Sequence, residues 1–337
     1  MSRWLSGTEE LPPGTMLHGR YEIKDVVGSG GMGIVYRTWD TVKRAAVAVK
    51  ELYPGSCCKR GIDGKSVELF SKNATLQYQD FRIHFLQEAT AMTGFSSCPN
   101  LLVSTDFFEE NNTCYYVTEL LDGMTLEEYL GSREKPLAQE EASHIAVNVM
   151  DALAYLHKRR LVHRDICCNN IYLMTSGTIK VIDYGAMVDV DGQDETSMIL
   201  RPGNAPPEQY KKNGELGPWT DVYAVGAVLY EMVTKSKVYE SVERLEEDIL
   251  VPPVVVNHQI TVHFSKVVMK ALSLDWRKRY QTAEEFKKSL KSSVDRKNEE
   301  VFDKQAGKRK IKRVICLLVG LVGLILGCIA GLVLVNG

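Results

Sequence analysis

LVHRDICCNN, residues 161–170, sets an acid, Asp165, five residues ahead of an amide, Asn170. A phosphoryl-transfer loop uses that spacing to orient a hydroxyl and hold a divalent cation. Cys167 and Cys168 stand between the two, so the stretch reads either as a working site or as the remains of one. The sequence on either side decides between these readings.

Upstream, GRYEIKDVVGSGGMGIVYRTWDTVKRAAVAVK (residues 19–50) gives three β-rich runs with glycines between the first and second. Gly28, Gly30 and Gly33 have GxGxxG spacing, with Ser29 and Gly31 between them, and backbone without Cβ atoms can approach phosphate oxygens closely. A dinucleotide fingerprint would open a helix at Gly33. Here IVYRTW follows, β-branched and aromatic, so the loop joins two strands. Lys50 then ends AVAVK, behind Val35 and Ala48, in the pattern of a lysine that contacts α and β phosphates. A lone lysine at a strand end is commonly solvated surface; the preceding loop favours the phosphate role. In DFRIHFLQEATAM (80–92), Phe81, Phe85, Glu88 and Met92 recur at helical spacing, which places Glu88 on an inward face as the partner of Lys50. The segment between, 51–79, is long for a strand-to-helix connection and suggests no chemistry of its own. CYYVTELLDG (114–123) looks like an edge strand and hinge of the kind that receives an adenine ring, a resemblance that would put Thr118, Glu119 and Leu121 around the pocket. A helix over 139–158 puts Ile145, Val149, Ala152, Leu153 and Leu156 on one face and leads into 161–170.

GSGGMGIV, AVAVK, HRD with Asn170, IDYGA, APPEQY, TDVYAVG and Arg279 occur in that order, and residues 20–290 resemble a complete eukaryotic-type protein kinase domain. RPGNAPPEQY and GPWTDVYAVGAVLYEMVT resemble the bacterial membrane-anchored serine/threonine branch. The fold implied is α+β and bilobed, with a small β-rich N-lobe over about 20–119 and a larger helical C-lobe over about 120–290. The resemblance also implies ATP as substrate and Mg2+, or Mn2+ in its place, held by Asn170 and Asp183, with Asp165 accepting the proton of the attacking hydroxyl. Glu208 and Arg279 resemble an ion pair bracing the substrate lobe, and Asp221 a support beneath the catalytic loop. Tyr184 stands where most relatives have Phe.

Cys167 occupies the place where serine/threonine kinases usually carry a lysine contacting the transferred phosphate. Losing one charge-stabilising group costs about 100- to 1,000-fold in rate, yet Lys50, Asp165, Asn170 and Asp183 all remain, so the site reads as active. The competing reading is an impaired pseudokinase acting as a nucleotide-binding membrane scaffold. A small-molecule phosphotransferase is disfavoured by APPEQY with Arg279. Cys167 reads as a space-filling residue, with an oxidisable thiol as the alternative. Arg164 before the catalytic acid resembles kinases switched by phosphate on the activation loop, where Thr196 and Ser197 are the candidate acceptors.

Composition agrees with a globular cytosolic unit. Of 337 residues, 45% are hydrophobic and 25% charged, and a net charge of -2 gives no reason to expect a nucleic-acid partner. The eight cysteines show neither CxxC spacing nor a disulfide framework, and residues 1–19, an N-terminal extension, lack the apolar core of a secretory signal. Residues 314–335, VICLLVGLVGLILGCIAGLVLV, carry no charge and as a helix would span roughly 33 Å, the length of a membrane crossing. KRKIKR (308–313) precedes them, so everything N-terminal belongs on the cytoplasmic side of a cell membrane, joined through a charged linker over 291–313. No extracellular sensor domain is expected beyond that helix. Gly323, Gly327 and Gly331 form a stripe of small residues through which two copies could associate, although glycine is also simply frequent in such helices. Protein substrates are the remaining partners expected.

Overall fold

A computed structural model describes residues 9–190 and 200–293. The first lobe is an antiparallel sheet of β1 (Met16–Leu17), β2 (Tyr21–Gly30), β3 (Gly33–Asp40), β4 (Ala45–Leu52), β7 (Ser104–Glu110) and β8 (Thr113–Glu119), in the order β1-β2-β3-β4-β8-β7. Between β4 and β7 the chain forms a hairpin of β5 (Cys58–Arg60) and β6 (Val67–Leu69), followed by α1 (Ala74–Thr93). The segment 51–79 is therefore not a bare connection: it holds a hairpin, and the helix starts six residues before the periodic stretch at Asp80.

A second correction concerns β8. It lies between β4 and β7 and is not an edge strand; β7 takes the edge. The physical reason is visible in its burial. Thr113 to Thr118 are all buried: the strand has a neighbour on either side, α1 packs against it, and Tyr115 stacks across to Phe108 of β7 at 5.0 Å. An edge strand would carry polar residues along its outer side.

The turn joining β2 to β3 is two residues, Gly31 and Met32. Near this turn the glycines do different work. A Cβ on Gly28, Gly30 or Gly31 would meet nothing within 4 Å, whereas one on Gly33 would stand 2.1 Å from the carbonyl oxygen of Glu51 on β4. Gly33 is thus required by strand-to-strand approach, and the others leave open space above the lobe interface.

The second lobe begins with β9 (Gly123–Thr125) and α2 (Leu126–Gly131), capped by Thr125 and Glu128 bonding reciprocally. Helix α3 (Gln139–His157) follows the expected span to within a residue and buries Ile145, Val149, Ala152, Leu153 and Leu156. After it come β10 (Leu161–Val162), β11 (Ile171–Met174), β12 (Ile179–Val181) and β13 (Val188–Asp189). Helix α4 (Pro218–Thr234), with Pro at its first turn, is buried along almost its whole length. Short α5 (Ser241–Glu246) and α6 (Pro253–Val256) lead to α7 (Val262–Ala271), and a Cβ on Gly226 of α4 would come 2.9 Å from the Ala271 Cβ of α7. That close crossing fixes the centre of the lobe.

No helix among the described residues is long and apolar enough to cross a membrane. Residues 314–335, the glycine stripe within them, and Thr196 and Ser197 lie outside the described residues.

Candidate active site

Between the lobes lies a cavity of about 310 Å³. Gly28, Val35, Ala48, Lys50, Glu88, Thr118, Glu119, Leu121, Asn170 and Asp183 line it, while Ser29, Gly30, Gly31 and Gly33 do not. Residues the sequence reading passed over complete the wall. Val27 and Leu102 join Tyr116, Leu120, Tyr172 and Ile182, making the cavity predominantly apolar with a few converging polar groups. Their apolar character is also what any core residue shows, so no signal marks them in the sequence.

Lys50 projects from β4 and Glu88 from α1, 38 positions apart in sequence, and they meet with Nζ 3.3 and 3.2 Å from the two carboxylate oxygens. Tyr116 on β8 donates its hydroxyl to the same Glu88 at 3.0 Å. Burial would strip the proton from a lysine, but the charge of Glu88 outweighs it and holds Lys50 firmly cationic. Glu88 is only 4% exposed, so this is an ion pair with little solvent screening. It ties the helix to the sheet and fixes the ammonium over the cavity.

The catalytic-loop stretch is held from below. Asp221, in the first turn of α4, accepts from the backbone N–H of His163 at 3.0 Å and of Arg164 at 2.9 Å, and meets His157 Nε2 at 2.8 Å. Burial pushes its carboxyl up, but the bond and charge of His157 and the peptide donors prevail and leave it below the ordinary range. Arg164 takes φ +65°, left-handed backbone that costs energy in any residue but Gly and is sustained here by the Asp221 clamp. Its guanidinium is directed to the Ala186 carbonyl at 2.6 Å. A short 3-10 turn, Cys168–Asn170, then carries Asn170 back onto Asp165: the amide Nδ2 donates to the Asp165 carbonyl at 2.8 Å and to Oδ2 at 2.9 Å.

This arrangement bears directly on metal binding. With Nδ2 of Asn170 committed to Asp165, Oδ1 is the atom left as a ligand, and Asp183 adds a carboxylate facing the same cavity. Two hard oxygen donors lining one cavity suit a small divalent cation that keeps several waters. Asp183 also has φ +66°, and the Ile182 N–H bonds to the Asn170 carbonyl at 2.9 Å, so the two donors are linked through backbone.

Tyr184 explains its own hydroxyl. The phenol is 2% exposed, donates to the Val181 carbonyl at 2.7 Å and accepts from the Leu102 N–H at 2.8 Å. It stitches the DYG turn to the strand floor, a role a phenylalanine ring could not fill.

Cys167 is 3% exposed, and burial, followed by the charge of Asp165, pushes its thiol up to about 11. Thiolate is the reactive form, so this environment opposes oxidation and supports the space-filling reading. The guanidinium of Arg201 lies beside Asp165, its Nε and Nη2 reaching Oδ1 at 3.0 Å and Oδ2 at 2.8 Å. Sequence reasoning missed it, since nothing in RPGNAPPEQY singles out its first residue. Further along, Glu208 and Arg279 form a bidentate buried pair at 2.7 and 3.1 Å, with Thr220 donating to Glu208 at 3.2 Å.

Comparison with known proteins places these features. The family described as "Protein kinase domain" matches residues 21–300. The chain is 30% identical over 315 residues to "Probable serine/threonine-protein kinase PknB" of Lactococcus lactis, covering 88% of this chain and 46% of the relative. It is 28% identical over 313 residues to "Serine/threonine-protein kinase PrkC" of Bacillus subtilis, covering 89% of this chain and 45% of the relative. The chain thus spans less than half the length of these curated relatives. Among solved structures it is similar to "PpkA-294 apo form", with TM-score 0.74 and 33% identity, over 84% of this chain and 99% of that one.

Proposed function

The chain belongs to the protein kinase domain family, and from that premise we propose that it transfers the γ-phosphoryl group of ATP to serine or threonine hydroxyls of proteins, itself included. The observation that carries this reading is that Lys50, its partner Glu88, Asn170 and Asp183 line one cleft, with Asp165, which is not among the lining residues, tied to it through its bond from Asn170. The names of the relatives support serine/threonine preference.

In the proposed reaction the acceptor hydroxyl oxygen bonds to the γ-phosphorus, the bond to the β–γ bridging oxygen breaks with its electron pair leaving on ADP, and the hydroxyl proton passes to Asp165. Lys50 steadies the α and β phosphates, and Glu88 steadies Lys50. Asn170 and Asp183 would hold Mg2+ or Mn2+, which neutralises phosphate charge when bound. The apolar walls at Val35, Ala48 and Leu121 accept the adenine ring, with Glu119 beside them. Glu119 itself is steadied by Lys180 at 2.7 Å.

The same proposal takes residues 314–335 as a single membrane-spanning helix that keeps the catalytic unit cytoplasmic, on the strength of its uncharged sequence and the basic cluster before it. Phosphate on Thr196 or Ser197 would tune the site through Arg164.

The test is magnesium-dependent transfer from labelled ATP to myelin basic protein by the full chain in detergent micelles, beside Asp165→Asn. Transfer that the variant abolishes is expected. A folded, ATP-binding wild type that transfers nothing would replace the reading with that of a nucleotide-binding membrane scaffold.

A further inference from the structure

Phosphoryl transfer builds negative charge between nucleotide and acceptor, and a protein performing it needs fixed cations there. Of the cationic side chains around the loop, Lys50, paired to Glu88, serves the α and β phosphates in the reading above, and Arg164 bonds the Ala186 carbonyl. Cys167, two positions after Asp165, is uncharged and buried. Among the described residues, the guanidinium that reaches the Asp165 carboxylate is that of Arg201. We propose that Arg201 supplies from the activation segment the phosphate-side positive charge that the catalytic loop lacks at Cys167, gripping Asp165 and facing the transferred group. This rests on the kinase reading above and names a residue within that same site.

The backbone supports a fixed cation at this point. The Arg201 carbonyl accepts from the N–H of Asn204 at 3.0 Å and of Ala205 at 2.9 Å, closing a tight turn. Gly203 in that turn has φ +82°, and a Cβ there would stand 2.5 Å from the Val238 carbonyl oxygen, so the turn is seated on the lobe. Ser241 donates to the Ala205 carbonyl at 2.8 Å, and Glu208 with its buried Arg279 pins the chain a few residues on. The guanidinium is therefore delivered by an anchored turn. Its fork geometry suits a carboxylate, holding both oxygens of Asp165 at once. Yet the Arg201 side chain is 40% exposed while that of Asp165 is 8% exposed, so the arginine keeps a solvent-accessible side while it holds the buried carboxylate. The hydrogen bonds to Asp165 above all hold the guanidinium charged against its partial burial.

The competing role for this pair is a latch that blocks Asp165 until the arginine leaves. The two differ in sign. The test compares Arg201→Gln and Arg201→Lys in the full chain, reading kcat and, separately, the affinities for ATP and ADP with Mg2+. Gln should lower kcat by about 100- to 1,000-fold, the cost of one removed charge-stabilising donor, while Lys stays within about tenfold of wild type. The preference for ATP over ADP should fall by about tenfold in the Gln variant, with ADP affinity unchanged, because the charge faces the γ-phosphate. A Gln variant as active as wild type, or more active, overturns the proposal. So does Gln behaving like Lys, or an unaltered ATP preference. The binding comparison needs no turnover, so it judges Arg201 even if the wild type transfers no phosphate, a result that would sink the kinase reading itself.

Discussion

Replacing Arg60 with methionine should destabilise the first lobe by about 3–5 kcal/mol, the cost of leaving one member of a buried ion pair uncompensated. Arg60 ends β5, in the hairpin that follows β4, and its Nη1 and Nη2 lie 2.7 Å from the two carboxylate oxygens of Glu51. The side chains are 4% and 0% exposed. Glu51 also accepts from the hydroxyls of Tyr36 at 2.8 Å and Tyr115 at 2.9 Å, so removing the guanidinium strands a carboxylate between two phenols and the sheet. Arg60 further holds the start of the described chain, donating to the Glu9 carbonyl at 3.0 and 2.7 Å. Thermal unfolding should shift down by roughly 6–15 °C, taking about 2–3 °C per kcal/mol for a domain of this size. The second arm of the assay is the pair Glu51→Gln with Arg60→Met. With both charges gone, the desolvation cost disappears too, and the double variant should recover much of the loss. A loss below about 1 kcal/mol for Arg60→Met, or a double variant no more stable than the single, would refute the argument that an uncompensated charge governs this site.

Two further outcomes follow from local electrostatics. Asp40 accepts from Arg20 Nε at 2.8 Å and Nη2 at 2.7 Å and from the N–H groups of Val42 and Lys43, and the Arg20 bonds above all hold its carboxyl at about 2. A folded-state value below the unfolded one means stability that is complete above about pH 4 and lost as pH falls towards 2. With Arg20 partly exposed and screened, the loss is about 1–2 kcal/mol, and Asp40→Asn should flatten the acid limb of an unfolding-against-pH curve; an unchanged limb rejects the assignment. Cys167, with its thiol near 11, should resist iodoacetamide and peroxide at pH 7.5 in the folded protein. Mass-spectrometric detection of a modified Cys167 before any unfolding would show that the thiol is more reactive than its burial allows.

The parts of the site that were legible in the sequence are those whose function is tied to a local backbone pattern. Lys50 follows the alternating Ala/Val run of a strand that continues to Leu52, and Glu88 sits on a helical period, so each could be placed on an element before any contact was known. Asp165 and Asn170 are five residues apart and bond to one another, which makes their motif a local structure. Where sequence reasoning fell short, the missing information was non-local. Gly33 belonged to the glycine pattern, yet its need for glycine comes from the Glu51 carbonyl across a strand pair. The strand at 113–119 reads as an edge until β7 is known to fold back against it. Arg60 lay in a segment with no evident chemistry because its partner stands on another strand, and burial of both members shows only in three dimensions.

Arg201 is the strongest case, because it changes how the opening motif is read. Within HRDICCNN the absence of a cation looks like decay, since a local motif is judged by the residues inside it. The fold brings a guanidinium to Asp165 from 36 positions away, through a turn that itself depends on Gly203, Ala205 and the Glu208–Arg279 brace. A charge requirement constrains a position in space rather than a position in the chain. One loop can lose a cation while a neighbouring loop provides it, provided that the second loop is anchored as firmly as the first. The two cysteines of this stretch are therefore compatible with an intact site, and whether the chain is slow or merely wired differently depends on the second loop as much as on the first.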